Sequence, residues 1–279
     1  MNDICKYSCA ALAACVFTLG SGAAARAADA SAWSQDSKSA VRLIAGTNKS
    51  GEAQWRAGIE IKLQPGWHTY WRYPGDSGVP PRFSFSGSDN LQAAKVLYPA
   101  PLLITDETGH SIGYTNRVTF PVRVTPRQPG KPVTLRLKID YAVCDKLCIP
   151  AEGEAELTLA ADPSAKDAEL TAAEARVPKQ VSAADAGLSA HRVNDGPKPL
   201  IAVDLKTPTG KPVSLFVEGP SPEWALPLPK PAQGAPAGHQ HFGFILDGLP
   251  PGVSPKGQYD LTFTVVEGDR ANEVTTHLD

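Results

Sequence analysis

The run Val133-Thr134-Leu135-Arg136-Leu137-Lys138-Ile139-Asp140-Tyr141-Ala142-Val143-Cys144-Asp145-Lys146-Leu147-Cys148-Ile149-Pro150 holds an alternation and a cysteine pair in one stretch. Val133, Leu135, Leu137, Ile139 and Tyr141 alternate with Thr134, Arg136, Lys138 and Asp140, the period-2 pattern of a strand with one buried face. Beyond Pro150 the pattern resumes, with Ala155, Leu157 and Leu159 set against Glu154, Glu156 and Thr158. Cys144 and Cys148 therefore stand where one strand turns into the next, on a loop or hairpin end. A thiol pair placed there can meet another protein's disulfide; a pair in a packed core cannot.

The chain around this stretch has 279 residues, enough for two ordinary domains. Its 24 glycines and 26 prolines are spread along it, which suits short strands joined by turns and opposes long helices. Alternation predicts further strands at 40–45, 54–63, 82–86, 93–98, 117–125 and 154–160, then at 188–193, 200–205, 213–218, 241–246 and 259–266. In the second of these Trp55, Ala57, Ile59, Ile61 and Leu63 share a face. Residues 64–78 read as an aromatic segment between Pro-Gly turn signals, 98–112 as a stretch that includes a polar loop at 105–110, and 220–238 as a long proline-rich loop. One helix is expected over Asp162–Val177, stopped by Pro178, as part of a linker covering 162–186. The expected organisation is all-β: a sandwich over 39–161, then a second, smaller β domain over 187–279.

Residues 1–27 read as a secretory signal, with Lys6 before an apolar, small-residue stretch and Ala25-Arg26-Ala27 as the cleavage site. An uncleaved anchor is disfavoured by Thr18, Gly20, Ser21 and Gly22. A lipoprotein box ending at Cys15 is disfavoured by the apolar run that continues past it. The expected location is the periplasm, with residues 28–38 as a disordered arm. Export removes Cys5, Cys9 and Cys15 and leaves Cys144 and Cys148 in an oxidising compartment. The formal charge of −2, with no basic run, gives nucleic-acid binding no support.

Three readings of the cysteine pair compete. As a structural staple it is weak, because closing a ring of about five residues yields only about 2 kcal/mol of chain entropy. As a redox switch it is well placed, since exchange needs close sulfurs with one of them reachable. As a metal site it would need further ligands; His239-Gln240-His241 offers two imidazoles, and the single methionine is Met1. The spacing is C-x3-C between strands, so no helix N-terminus is at hand to activate a thiolate; Lys146 would help and Asp145 would oppose. No Ser-His-Asp constellation, phosphate loop or paired-carboxylate pattern can be defended.

Several further motifs, in order, carry a resemblance: Gly66-Trp67-His68-Thr69-Tyr70-Trp71-Arg72, Pro74-Gly75-Asp76-Ser77-Gly78, Asp106-Glu107, Arg117-Val118-Thr119-Phe120-Pro121-Val122, and Tyr141 through Pro150. Over Val41 to Leu159 the chain resembles the amino-terminal periplasmic domain of the DsbD/ScsB thiol:disulfide interchange proteins. The resemblance implies an immunoglobulin-like β-sandwich and, by position, Cys144 and Cys148 as a redox pair. Cys148 would form the mixed disulfide with partners and Cys144, more buried, would resolve it. Asp106 and Glu107 correspond to acidic residues beside the pair, and His68 and Tyr70 fall where the family has tyrosines lining the site.

Three departures stand out. The C-x3-C spacing is shorter than in the best-known members. Thr108-Gly109 replaces the aromatic cap that shields their pair, leaving His110 or Tyr114 as substitutes. The chain ends at Asp279 without a membrane module or thioredoxin-like domain, so the expected electron donor is a separate membrane-embedded protein. Gly187–Asp279 is similar to the extra β region of ScsB-like members. The implied function is cofactor-free, metal-free thiol:disulfide interchange, a protein-disulfide reductase activity serving thioredoxin-like or other disulfide-bearing periplasmic proteins. The competing reading is a non-enzymatic periplasmic module, a copper-tolerance or assembly factor whose cysteines bind metal or only form a structural disulfide.

Overall fold

The computed structural model describes residues 28–75, 78–106, 109–207 and 210–278, with Asp106 described by its backbone alone. The first unit runs β1 (Ser34–Gln35), β2 (Ser39–Ala45), β3 (Trp55–Leu63), β4 (His68–Gly75), β5 (Arg82–Ser84), β6 (Leu91–Val96), β7 (Leu102–Asp106), β8 (Gly109–Thr115), β9 (Arg117–Pro126), β10 (Val133–Cys144) and β11 (Cys148–Leu159). After it come α1 (Asp167–Ala175), β12 (Lys179–Gln180) and α2 (Ala183–Ala186). The second unit follows with β13 (Leu188–Arg192), β14 (Leu200–Lys206), β15 (Ser214–Glu218), β16 (Lys230–Ala232), β17 (His239–Ile245), β18 (Tyr259–Glu267) and β19 (Arg270–Leu278).

In the first unit one sheet has the order β1-β2-β3-β9-β6 and the other β11-β10-β4-β8-β7, with β5 also on β10. Their facing sides bury Val41, Leu43, Ile59, Ile61, Trp55, Trp71, Phe120 and the odd-numbered residues of β10 from Val133 to Val143. Phe120 gathers Phe83, Tyr98 and Tyr114 edge-on, with ring centroids 5.3–5.4 Å away. The second unit stacks β12-β19-β18-β15 on β13-β14-β17-β16 around a core that includes Phe242, Phe244, Leu261 and Phe263.

The strands foreseen from alternation are present; the differences lie where alternation is absent. The arm is not disordered: Ala30 bridges Ile44 and β1 pairs with β2. The polar stretch 105–110 is the end of an antiparallel hairpin of β7 and β8, two strands not foreseen, in which Thr105 pairs with His110 and Leu102 with Gly113. Leu102 and Leu103 are both exposed on this edge strand, so no apolar/polar pattern marks it. The 220–238 loop includes β16 and buries Trp224 and Leu226 in the second core. β19 was missed because only Val274 and Leu278 of its nine residues are fully buried.

The helix is shorter than expected and is docked on the first unit. Residue 170, a leucine, is fully buried over Gly46 and Gly58, where an added Cβ would meet its methyls at 2.7 and 3.1 Å. Arg56 pairs with Asp167 at 2.6 Å and with Glu174 at 2.7 Å, and Arg123 also reaches Glu174. The Thr47 backbone N–H, with Arg56, holds the Asp167 carboxyl below its ordinary 3.8. Burial alone would raise Glu174, but Arg56 and Arg123 outweigh it and hold it below 4.5. A carboxylate depressed in the folded state stabilises fully above its unfolded pKa and loses that contribution as pH falls through the folded one. Acidification from neutrality through the folded-state values of these carboxyls, below their ordinary range, is therefore expected to loosen α1 while the sheets persist. Hydrogen exchange corrected for intrinsic rates checks this: protection over 167–175 falls in acid and protection of β10 and β11 stays. Equal loss in both places would contradict it.

The two units share a core. Phe216 of β15 is buried among first-unit residues, its ring 5.9 Å from that of Trp71. Next to it the Arg72 guanidinium, stacked over Trp71, donates to Glu218 at 2.7 Å and to Glu273. The Tyr73 hydroxyl donates to the Leu226 carbonyl.

Candidate active site

β10 and β11 form one unbroken ladder from Val133↔Leu159 to Cys144↔Cys148. The strands therefore run right up to the cysteines, past the expected limits at 141 and 154. Directly opposed residues point to the same face of a sheet. Cys144 and Cys148 thus project together from the outer face, with Asp145, Lys146 and Leu147 forming the tip. Their sulfurs are bonded, with the Cα atoms 4.1 Å apart. The two are unequal: Cys144 is 1% exposed, whereas Cys148 is exposed.

What buries Cys144 is β4. Val143 pairs with Thr69 and Cys144 with His68, so His68 and Tyr70 take the same outer face as the cysteines. The Thr69 hydroxyl donates to the Ala142 carbonyl at 2.9 Å and fixes this register. The Tyr70 ring packs on Ala142 and Cys144, and its hydroxyl lies 2.7 Å from Cys144 Sγ and 3.2 Å from Cys148 Sγ. His68, also buried, meets Tyr70 edge-on at 5.4 Å. Beyond Tyr70 in the same row stands Gly113, where a Cβ would lie 1.9 Å from the Thr69 carbonyl oxygen; only glycine lets β8 approach β4 this closely. Gly78, with φ +135°, lies flat on the Tyr70 ring, and a Cβ there would be 2.3 Å from Cε1.

Of the residues singled out from sequence, Cys144, Cys148, His68 and Tyr70 come together. Glu107 lies outside the described residues, and Asp106 ends β7 with its side chain undescribed. Tyr114 is no substitute cap: it points into the core and its hydroxyl donates to the Pro99 carbonyl at 2.8 Å. His110 meets Thr105 across the β7–β8 hairpin at 3.1 Å. The cover that sequence reasoning missed is the backbone at Gly78, although its motif was visible. His239 and His241 sit in the second unit, on β17, where they share Asp204 at 2.9 and 2.7 Å. Among the described residues no group of three or more His, Cys, Asp or Glu is arranged to hold a metal ion, and no helix is long and apolar enough to cross a membrane.

The arrangement suits exchange in one direction of approach. An incoming thiolate can reach Cys148 from solvent, and Cys144 would leave beside the Tyr70 hydroxyl. Fold and site together define an immunoglobulin-like β-sandwich bearing a half-exposed disulfide at a hairpin tip. Residues 38–160 match the family model described as thiol:disulfide interchange protein DsbD, N-terminal, and this domain belongs to that family. Seven solved chains match the fold. Among them is the N-terminal periplasmic domain of ScsB from Proteus mirabilis, at a TM-score of 0.68 and 20% identity, covering 90% of this chain and 98% of that one. No curated protein matches the chain.

Proposed function

We propose that the chain is a periplasmic carrier of reducing equivalents, passing them from a separate membrane-embedded donor to oxidised periplasmic proteins through Cys148, with Cys144 resolving. The observation that carries this reading is the inequality of the sulfurs over one phenol: one reachable, one buried, both within reach of the Tyr70 hydroxyl. The strand ladder argues against a staple, since β10 and β11 are already paired along their length. In the reductive half-cycle the Cys148 thiolate attacks a partner disulfide, forming a mixed disulfide and releasing one partner thiolate. The Cys144 thiolate then attacks the Cys148 sulfur, releasing the second partner thiol and closing the Cys144–Cys148 bond. Two electrons have moved to the partner, and no cofactor is needed.

Trapping tests the roles. In oxidised periplasmic extract, a Cys144→Ala variant is expected to accumulate reductant-sensitive adducts at Cys148. The Cys148→Ala variant, left with the buried sulfur, is expected to form none. A bond that stays closed across glutathione buffers from fully oxidised to fully reduced would end this reading, as would an absence of adducts.

A further inference from the structure

Tyr70 leads from the disulfide to the junction between the two units. Along β4, where the register shifts between Tyr70 and Gly75, Tyr73 packs against the first core. Across the loop, Gly78 lies on the Tyr70 ring and Pro80 follows two residues later. Tyr73 and Pro80 belong to one wall of a groove of about 430 Å³ whose other wall is Pro220, Pro222, Trp224 and Ala225 of the second unit. The charged residues in the lining, Arg72 and Glu218, are paired with each other, so the groove offers no net charge. Two exposed apolar side chains stand on the approach: Leu147, beside Cys148, is 71% exposed and Val79 is 49% exposed, with Asp145 and Lys146 also exposed at the tip.

We infer that this groove seats the extended, apolar stretch of polypeptide that flanks the cysteine of the redox partner, so that the second unit selects which disulfides reach Cys148. The inference rests on exchange at Cys148 as proposed above. A partner whose sulfur meets Cys148 must lay its neighbouring residues across this surface, and the path from Tyr70 over Gly78 to Pro80 leads into the groove. Prolines in the wall donate no backbone hydrogen bonds, and with Tyr73 and Trp224 they present rings, which suits apolar side chains in an extended chain. An acidic segment would shed its hydration there against no unpaired cation.

The test uses the reduced full chain and the symmetrical disulfides of two short peptides of equal length, one with leucine, valine and proline around its cysteine and one with aspartate and serine. Each turnover releases two peptide thiols and closes the Cys144–Cys148 bond. Rates are divided by those of free dithiothreitol on the same peptides, which removes differences in intrinsic reactivity. The wild type is expected to favour the apolar peptide, and Ala225→Arg to lower that preference about tenfold, the scale of losing one buried apolar side chain less the cost of ordering it. Pro222→Arg, on the same wall and exposed, is expected to act likewise and guards against a variant that fails to fold. A wild-type preference equal to that of dithiothreitol overturns the groove, as does a preference that survives both substitutions. A wild type inert toward both peptides and toward glutathione disulfide overturns exchange itself instead.

Discussion

Changing Tyr70 to phenylalanine should slow opening of the Cys144–Cys148 bond by between about tenfold and a hundredfold, the scale of a hydrogen bond to a charged group. When a thiolate attacks the exposed Cys148 sulfur, the electron pair of the broken bond goes to Cys144. That sulfur is almost fully buried, beside Ala142 and the Tyr70 ring. A thiolate forming in such surroundings has lost most of its hydration, and burial disfavours it. The hydroxyl 2.7 Å away is in position to donate as charge develops. In the closed state the same hydroxyl faces a neutral disulfide, a weak acceptor, so the contact strengthens mainly on the way to the transition state. Phenylalanine keeps the ring against Gly78 and His68, and the unfolding free energy from urea titration should stay within about 1 kcal/mol of the wild type, with little change in midpoint. Stopped-flow reduction by dithiothreitol gives the rate. An unchanged rate with an unchanged midpoint would mean that the phenol only fills space.

How much of this could be read beforehand depended on how many faces of each strand are buried. β10 and β11 were legible because their inner faces bury apolar residues and most of their outer faces meet water. β4 was not, because His68, Thr69, Tyr70 and Trp71 are all buried: two lie under the disulfide site, and Trp71 lies in the core. A strand covered on both faces shows no alternation, and its aromatic run reads equally well as turn filling. The family resemblance pointed at His68 and Tyr70. The hydroxyl's reach to both sulfurs, however, depends on pairing segments 74 residues apart, which no local pattern specifies. The junction was the least legible part. Phe216 sits in an ordinary apolar strand, and Arg72 is one arginine among many until Glu218 and Glu273 are brought beside it from two other strands.

That arginine sets the second large expectation: Arg72→Met should uncouple the two units, at a cost of about 2–3 kcal/mol to the junction. Burial alone would lower the Arg72 pKa, but hydrogen bonds and charge from Glu218 and Glu273 outweigh this and raise it well above the ordinary arginine range, so it stays charged wherever the protein is folded. Methionine keeps much of the stem's packing on Trp71 but leaves two partly buried carboxylates facing each other without their shared cation. The full penalty for orphaning a buried pair, about 3–5 kcal/mol, is discounted because all three side chains keep some contact with water. The Trp71–Phe216 contact and the Tyr73 hydroxyl bond would remain, so loosening rather than separation is the expected state. In calorimetry the wild type should unfold in one coupled transition, and the variant in two, the second unit first. Replacing Glu218 and Glu273 by glutamine in the variant should restore part of the coupling, because it removes the repulsion without restoring the bond. A single transition at the wild-type temperature would show that the shared core around Phe216 suffices. Because β4 carries both Arg72 and Tyr70, the variant also separates two roles of the strand. Reduction by dithiothreitol should proceed nearly as in the wild type, while discrimination between peptide disulfides should fall as the second wall of the groove moves away.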